Sequence, residues 1–288
     1  MHRIFTLACI IAALLLTSCQ KEYVVAGVDN PTGGNGSGDL LTKFVSESPV
    51  ANVTFNYTYD AAKNLNSRSY SFVAIGSSIN IAVINSIQRD ASERVTKIIN
   101  SSVFTDSVEI TKDTSITVVH YPDAVTKKID YFVQTSVTSI DLSQDSVLLT
   151  YNANGQVTTL IDYIISDLGS YVQKNILTYD AKGNVTNVQT FISDDGTNYS
   201  PYSSTTYSFD DKKAYLNIGV ESFLFGEFDL VCANNVTNGQ TKDLTGAGSD
   251  ISQAISYTHG TNNKPSTGVA TQHQLSGDYS LKLSYFYQ

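Results

Sequence analysis

The sequence has little of what most catalytic and metal sites are built from. In 288 residues it contains no tryptophan, four histidines and three cysteines. His120, His259 and His273 lie far apart and lack a metal-type spacing. No GxSxG, HExxH or phosphate-loop glycine pattern occurs. The sequence therefore predicts no metal, no cofactor and no catalytic residue.

Basic charge is also scarce. Removing residues 1–18 takes away one arginine and no acid, which leaves 17 basic and 27 acidic side chains and a net charge of −10. Affinity for nucleic acid comes largely from cationic contacts with phosphates. We therefore expect no nucleic-acid partner.

Long hydrophobic runs are absent after the N-terminus, so no helical membrane span is predicted. At the N-terminus itself, Arg3 precedes an apolar stretch from Ile4 to Leu16 that only Thr6 interrupts. Its length and charge are typical of a secretory signal. The following Leu16-Thr17-Ser18-Cys19 resembles the lipobox of bacterial lipoproteins. A plain secretory signal with a chance cysteine is the alternative.

The lipobox resemblance implies that residues 1–18 are removed and that Cys19 carries lipid. A triacylated cysteine buries enough methylenes, at roughly 0.8 kcal/mol each, to hold a soluble domain at a membrane. The membrane is then a partner through Cys19. We expect an outer-membrane lipoprotein that faces the periplasm or the cell surface.

The remaining chain divides into a tether and one domain. Gly27 to Asp39 is rich in Gly, Asn and Ser, and residues 19–44 are predicted to be a flexible linker. Residues 45–288 are predicted to form a single all-β domain, because short alternating runs such as Ser280 to Tyr285 have the period of half-buried strands. Short helical turns are predicted only near Asp39 to Val45 and Ser249 to Ser256.

One pattern recurs about every thirty residues. An acid or amide follows a large side chain and precedes an apolar residue by five positions, with one looser copy near Pro122. Its key positions are Asp60, Asp90, Asp123, Asn152, Asp180 and Asp210. Spacing this even indicates a structural repeat.

Turn chemistry accounts for these residue types. Asp or Asn at the first position of a type I turn accepts backbone N–H bonds, and glycine at the fourth adopts the left-handed conformation of a three-residue hairpin loop. Gly155 and Gly183 supply that glycine, whereas Lys63, Glu93 and Lys213 replace it elsewhere. The latter copies require another loop or accept strain.

Hairpin loops of this kind set the residues on either side of the turn opposite each other. The predicted cross-strand pairs are Tyr59 with Leu65, Tyr151 with Val157, Tyr179 with Val185, and Phe209 with Tyr215. The alternative is that the recurring acids form a ligand site.

A thirty-residue unit accommodates two strands and two turns. Six units, with a further pair at the ends, predict about 12–14 strands. An up-and-down meander of that length would expose two edges, so we expect it to close into an antiparallel β-barrel.

Two families resemble this sequence. The Tyr-Asp-x-x-Gly-x-Val units resemble YD repeats, but only in the turn. A fuller resemblance is to Bacteroidetes lipoproteins with a domain of unknown function described as porin-like. It covers the lipobox, the tether, the aromatic-Asp turns and the tail from Ile255 to the end. That resemblance implies an antiparallel β-barrel, a cell-envelope location and no assigned activity.

The functional hypothesis is a lipid-anchored envelope barrel with a structural, ligand-binding or docking role. The ligand would be a glycan or a protein. An outer-membrane-spanning barrel is the first alternative, and an enzyme with a site assembled from scattered residues is the second. Acid pairs at Asp194-Asp195 and Asp210-Asp211 are read first as polar loops. Cys232 is expected to be a buried small residue.

Overall fold

Sixteen β-strands account for most of the structure. The computed structural model describes residues 40–106, 110–123, 126–137, 144–166, 169–216, 218–226, 231–274 and 277–288. The strands are β1 (Leu41–Glu47), β2 (Ala51–Tyr59), β3 (Leu65–Ala74), β4 (Asn80–Arg89), β5 (Val95–Thr105), β6 (Ile110–His120), β7 (Tyr131–Ser136), β8 (Gln144–Tyr151), β9 (Val157–Ser166), β10 (Gly169–Tyr179), β11 (Val185–Ser193), β12 (Ser200–Lys213), β13 (Asn234–Asp243), β14 (Ile251–His259), β15 (Pro265–Gln274) and β16 (Gly277–Tyr287). A short 3₁₀ helix, η1 (Gly219–Phe225), lies between β12 and β13.

The strands form one closed antiparallel meander. Each pairs with its neighbours in the chain, and β1 pairs with β16 to close the barrel. The predicted up-and-down β-barrel is confirmed. It has sixteen strands rather than 12–14, because the repeat continues through β14, β15 and β16 without the Asp that marks the other copies.

Both segments expected to contain helical turns are strands. Leu41–Glu47 forms β1, which begins inside the range assigned to the tether, and Ile251–His259 forms β14. Their pairing with β16 and β15 supplies backbone hydrogen bonds at both sites. Sheet closure therefore overrides weak local helix signals. No helix in the described part of the chain is long and apolar enough to cross a membrane.

Side chains along the strands alternate between an inner face and an outer face of the barrel wall. Along β2, Val53, Phe55 and Tyr57 are buried, while Asn56 and Thr58 between and after them are exposed. The same alternation follows the register around the barrel. A continuous apolar cluster fills the interior.

The two ends of the barrel differ. We call the end that carries the short hairpins β2–β3, β4–β5, β8–β9, β10–β11 and β14–β15 the turn end, and the opposite end the loop end. Both Leu41 and Tyr287, which pair with each other, lie at the turn end. The chain therefore enters and leaves the barrel at the same end.

An insertion fills the turn end. Residues 214–233 connect β12 to β13, and Phe223 and Leu224 of η1 are buried in the core. Tyr215 stacks on Phe44 of β1, with ring centroids 5.7 Å apart. Glu221 accepts two hydrogen bonds from the Arg89 guanidinium, of 2.6 and 2.7 Å. We call the described residues 214–216, 218–226 and 231–232 of this connection the plug.

Tyrosines join neighbouring hairpins at the turn end. Tyr179, which precedes the β10–β11 turn, donates its hydroxyl hydrogen to the carbonyl of Val157 in the preceding hairpin at 2.7 Å. The same contact recurs between corresponding residues around the barrel. The other bridging tyrosines are Tyr59, Tyr121, Tyr151, Tyr257 and Tyr287, which donate to the carbonyls of Leu41, Val95, Ile129, Val236 and Pro265.

Two positions of this ring lack a tyrosine. Arg89 takes one place and donates to the Leu65 carbonyl at 2.9 Å. Phe209 takes the other, and there the insertion makes the link, since the side-chain oxygen of Asn184 accepts from the backbone N–H groups of Ala233 and Asn234. The recurring aromatic residue therefore has a role in joining hairpins that the repeat alone did not reveal.

We predict that Tyr179→Phe lowers the free energy of unfolding by about 1 kcal/mol, because it removes one partly buried hydrogen bond and leaves the ring in place. Chemical denaturation would measure the change. Tyr202→Phe is the control, since Tyr202 is 47% exposed and its substitution should change stability by less than about 0.5 kcal/mol. Equal effects of the two substitutions would contradict a structural role for the bridging hydroxyl.

Candidate functional site

The recurring acids lie in tight turns. Asp60, Asp90, Asn152 and Asp180 each accept the backbone N–H of the residue four positions later, at 2.9–3.0 Å. In each turn the carbonyl of the same residue accepts the N–H three positions later. Their side chains are therefore occupied by their own loops.

The glycine position of these turns has one conformation whatever the residue. Gly155 and Gly183 have φ of 76° and 89°, and Lys63 and Glu93 have φ of 68° and 63°. For the copies without glycine, the sequence predicts either another loop or strain. Lys63 and Glu93 accept strain, because they keep the same loop with a non-glycine residue in the left-handed conformation. Tyr59 pairs with Leu65, Tyr151 with Val157, and Tyr179 with Val185.

Lys63→Gly should stabilise the protein by about 0.5–1 kcal/mol. Removing the strain of a non-glycine residue in the left-handed conformation raises the free energy of unfolding by roughly 1–2 kcal/mol. The greater conformational freedom of glycine in the unfolded chain lowers it by roughly 0.5–1 kcal/mol. The neighbouring Ala62→Gly is the matched control and should destabilise, because Ala62 has no positive φ. Thermal and chemical denaturation of both variants measure the difference, and a loss of stability in Lys63→Gly would refute the strain.

Two of the recurring acids depart from this turn. Asp123 lies in the longer β6–β7 loop, where its carboxylate accepts the Thr126 N–H at 2.6 Å. Asp210 does not begin a hairpin: β12 continues to Lys213, and Phe209 pairs with Val236. The predicted pairing of Phe209 with Tyr215 is wrong, because the plug leaves the sheet at this point. Asp210 instead accepts bonds from the backbone and side-chain N–H groups of Asn235.

The predicted lipid attachment residue, Cys19, lies outside the described residues. Cys232 is fully buried, and its sulfur accepts the Val185 N–H at 3.0 Å. Cys232 is the last residue of the plug, and this bond joins the plug to β11.

Asp195 illustrates how the remaining acid pairs are used. Its carboxylate accepts the backbone N–H groups of Thr197 and Asn198, both at 2.8 Å, and the Ser193 hydroxyl hydrogen at 2.8 Å. These bonds hold the pKa of Asp195 well below its ordinary range. The carboxylate therefore organises the β11–β12 loop.

A different pair of carboxylates lies on the inner face of the barrel, on β8 and β9. Asp145 on β8 is opposite Ile164, and Asp162 on β9 is opposite Val147. Since Val147 is buried in the core, this register places both aspartates on the inner face, as diagonal neighbours. Gln134 on β7 and Gln173 on β10 lie opposite Asp145 and Asp162 in the adjoining strands.

Both carboxyls are partly buried and incompletely bonded. One oxygen of each, Asp145 Oδ1 and Asp162 Oδ1, is covered by protein and has no hydrogen-bond partner among the described residues. Burial, followed by the charge of Asp145, raises the pKa of Asp162 to about 7. Burial also raises the pKa of Asp145. This pair is the strongest chemical anomaly in the described structure.

Sequence reasoning missed this pair. A signal for Asp162 exists, since it interrupts the apolar run from Leu160 to Ile165. Nothing in the sequence relates it to Asp145, seventeen residues earlier, until the register of β8 and β9 is known. Among the described residues, no group of three or more His, Cys, Asp or Glu side chains is placed to hold a metal ion.

Comparisons with known proteins find solved structures of similar fold, including two porin-like proteins. No protein-family model and no curated protein matches the chain. A porin-like protein from Bacteroides uniformis has a TM-score of 0.41 and 13% identity, covering 86% of this chain and 98% of its own. A porin-like protein from Bacteroides vulgatus has a TM-score of 0.41 and 11% identity, covering 87% of this chain and 99% of its own. Neither similarity indicates what this chain binds, and the barrel assignment rests on the strand pairing above.

Proposed function

We propose that this protein is a lipid-anchored envelope protein whose barrel stays outside the bilayer and serves as a binding or docking domain. Lipid on Cys19 would tie it to the outer membrane, facing the periplasm or the cell surface. The ligand would be a glycan or a protein. The polarity of the outer wall is the observation that carries this proposal.

Outward-facing side chains over much of the circumference are polar. A barrel that spans an outer membrane needs an apolar band about 25 Å tall on its lipid-facing side. On three strands that lie well apart from β6–β9, the outward positions are instead hydroxyls, amides and a lysine. They are Asn52, Thr54, Asn56, Thr58, Ser204, Thr206, Ser208, Asn238, Gln240 and Lys242. Exposed apolar residues such as Val118, Leu148 and Tyr163 lie together on β6, β8 and β9, and others lie singly on β3, β4, β15 and β16 (Val73, Ile84, Val269 and Phe286).

The polar outward side chains favour a lipid-anchored barrel outside the bilayer over a barrel that spans the membrane. Hydroxyl and amide groups in the hydrocarbon region would lack water to bond with, and each unsatisfied group costs several kcal/mol. The apolar residues on β6–β9 make a patch on one side of the barrel. A patch does not complete the band that an outer-membrane barrel requires.

The position of the tether supports a ligand contact at the loop end. β1 begins at Leu41 at the turn end, which the plug fills. In the sequence, 21 residues separate Cys19 from Leu41, the first residue of β1. The lipid would therefore be attached beside the closed end, and the loops at the other end would meet a ligand.

The bonding of the described acidic side chains also favours a binding role over catalysis. Four of the six recurring residues are bonded within their own tight turns, Asp210 accepts from Asn235 and lies 3.3 Å from the His259 ring nitrogen, and Asp195 is bonded within its loop. Asp145 and Asp162 have no nucleophile or basic partner bonded to them among the described residues. An enzyme assembled from scattered residues remains the third hypothesis.

Lipid attachment can be tested by labelled-palmitate incorporation in a bacterium that processes lipoproteins. The natural chain should incorporate the label and Cys19→Ala should lose at least about nine-tenths of it, because the thiol is the acylation site that the lipobox predicts. Cys232→Ala is the matched control and should keep full labelling. Unchanged labelling in Cys19→Ala would overturn the anchor.

Residues 40–288, expressed without the N-terminal segment, test the location of the barrel. We expect a folded monomer or oligomer in buffer without detergent, with a β-rich circular dichroism spectrum. Folding only in detergent micelles would favour the membrane-spanning alternative.

The same fragment on a broad glycan array distinguishes the two ligand classes. Specific binding to arrayed glycans would support a glycan ligand, and the absence of binding would favour a protein partner.

A further inference from the structure

The two carboxyls on β8 and β9 interact electrostatically with each other, whether or not a ligand is bound. Asp145 and Asp162 face inward from adjacent strands and lie on one diagonal of the sheet. Each has a covered oxygen without a hydrogen-bond partner among the described residues. Two carboxylates so placed repel each other when both are ionised, and burial weakens the solvation that would offset the repulsion.

We propose that Asp145 and Asp162 are a coupled acid pair that makes the β8–β9 wall a pH-sensitive element, tight when the pair holds a proton and looser when both carboxyls are ionised. This inference does not depend on the proposed function. It concerns the stability of one part of the barrel wall.

Among the described residues, no group that faces the pair supplies a compensating positive charge. From β7 the facing residue is Gln134, and from β10 the facing residues are Gln173 and Tyr171. Asp113 on β6 adds a further acid on the inner face, 3.4 Å from the Ser136 hydroxyl. Lys174 on β10 points to the other face, where its ammonium lies over the Tyr199 ring.

Tyr171 reports the same electrostatic environment. Burial raises its pKa first, and the negative charges of Asp162 and Asp145 raise it further, with Tyr202 as a smaller contributor. An ionised pair would thus disfavour any additional negative charge on this wall. The three groups belong to one interacting set on β8, β9 and β10.

The direction of the pH effect follows from the pKa of Asp162. Its folded value of about 7 lies above the ordinary unfolded value of about 3.9, so the folded state binds the proton more tightly. Stability from this proton is fully present below about pH 4 and is lost as pH rises to about 7. An ordinary salt-bridged aspartate would show the opposite slope.

Carbon-detected NMR titration of the aspartate carboxyls in the folded protein is the direct test. Asp162 should titrate near neutral pH, and Asp145→Asn should lower its midpoint, because the substitution removes a neighbouring negative charge and keeps the side-chain size. A midpoint for Asp162 near 4, or one that Asp145→Asn leaves unchanged, would overturn the proposal.

Denaturant unfolding between pH 5 and pH 8 provides the second readout. The unfolding equilibrium constant of the natural chain should rise by at least about tenfold relative to Asp162→Asn, because the amide no longer titrates. Asp211→Asn is the matched control, since that carboxylate is exposed and should leave the pH profile unchanged. Parallel profiles for all three proteins would contradict the coupled pair.

Amide hydrogen exchange locates the effect. After correction for intrinsic rates, protection in β8 and β9 should fall between pH 6 and pH 8 in the natural chain and not in Asp162→Asn, while β13 and β14 serve as the internal reference. A uniform change across all strands would indicate global instability and refute a local element. If Asp162→Asn does not fold, Asp145→Asn is measured instead, and the pH effect should then be reduced rather than abolished, because Asp162 still titrates; an unreduced effect would contradict the coupled pair.

Discussion

The pairing of β1 with β16 is the constraint on which the rest of the structure depends. A meander of sixteen strands leaves two free edges unless it closes, and an exposed edge presents a row of unpaired backbone groups. Closure places Leu41 beside Tyr287 and sets the order in which the remaining strands surround the core. It also brings both ends of the barrel domain to the turn end, where the tether joins.

Closure at the turn end is reinforced by side chains. The bridging tyrosines bond each hairpin to the carbonyl of the one before it, and Arg89 makes the equivalent bond at one position while also binding Glu221 of the plug. Where Phe209 provides no hydroxyl, Asn184 bonds the chain as it returns from the plug. The plug therefore lies where the ring of tyrosines has its gap, and it fills the interior with Tyr215, Phe223 and Leu224. The loop end has no counterpart of this arrangement among the described residues.

Local turn chemistry explains why the barrel was predictable. Asp180, Gly183 and Val185 specify a hairpin within seven residues, and hairpins at thirty-residue intervals imply a meander. The same reasoning failed at Asp210, where the spacing matches but the strand continues into the plug. It also missed the β14–β15 hairpin, in which Gly260 replaces the acid and Asn263 adopts the left-handed conformation with φ of 60°.

The sequence by itself determined the period of the hairpins and the strand alternation, because these depend on neighbours within a few residues. Tertiary structure alone decided that β1 and β16 close the barrel, that the plug is buried at the turn end and that Asp145 meets Asp162. These features depend on which strands become adjacent and in which register. A shift of either strand by one residue would turn its aspartate to the outer face and separate the pair. The proximity of the two carboxyls therefore depends on how β8 and β9 pair, and no short segment of sequence specifies that register.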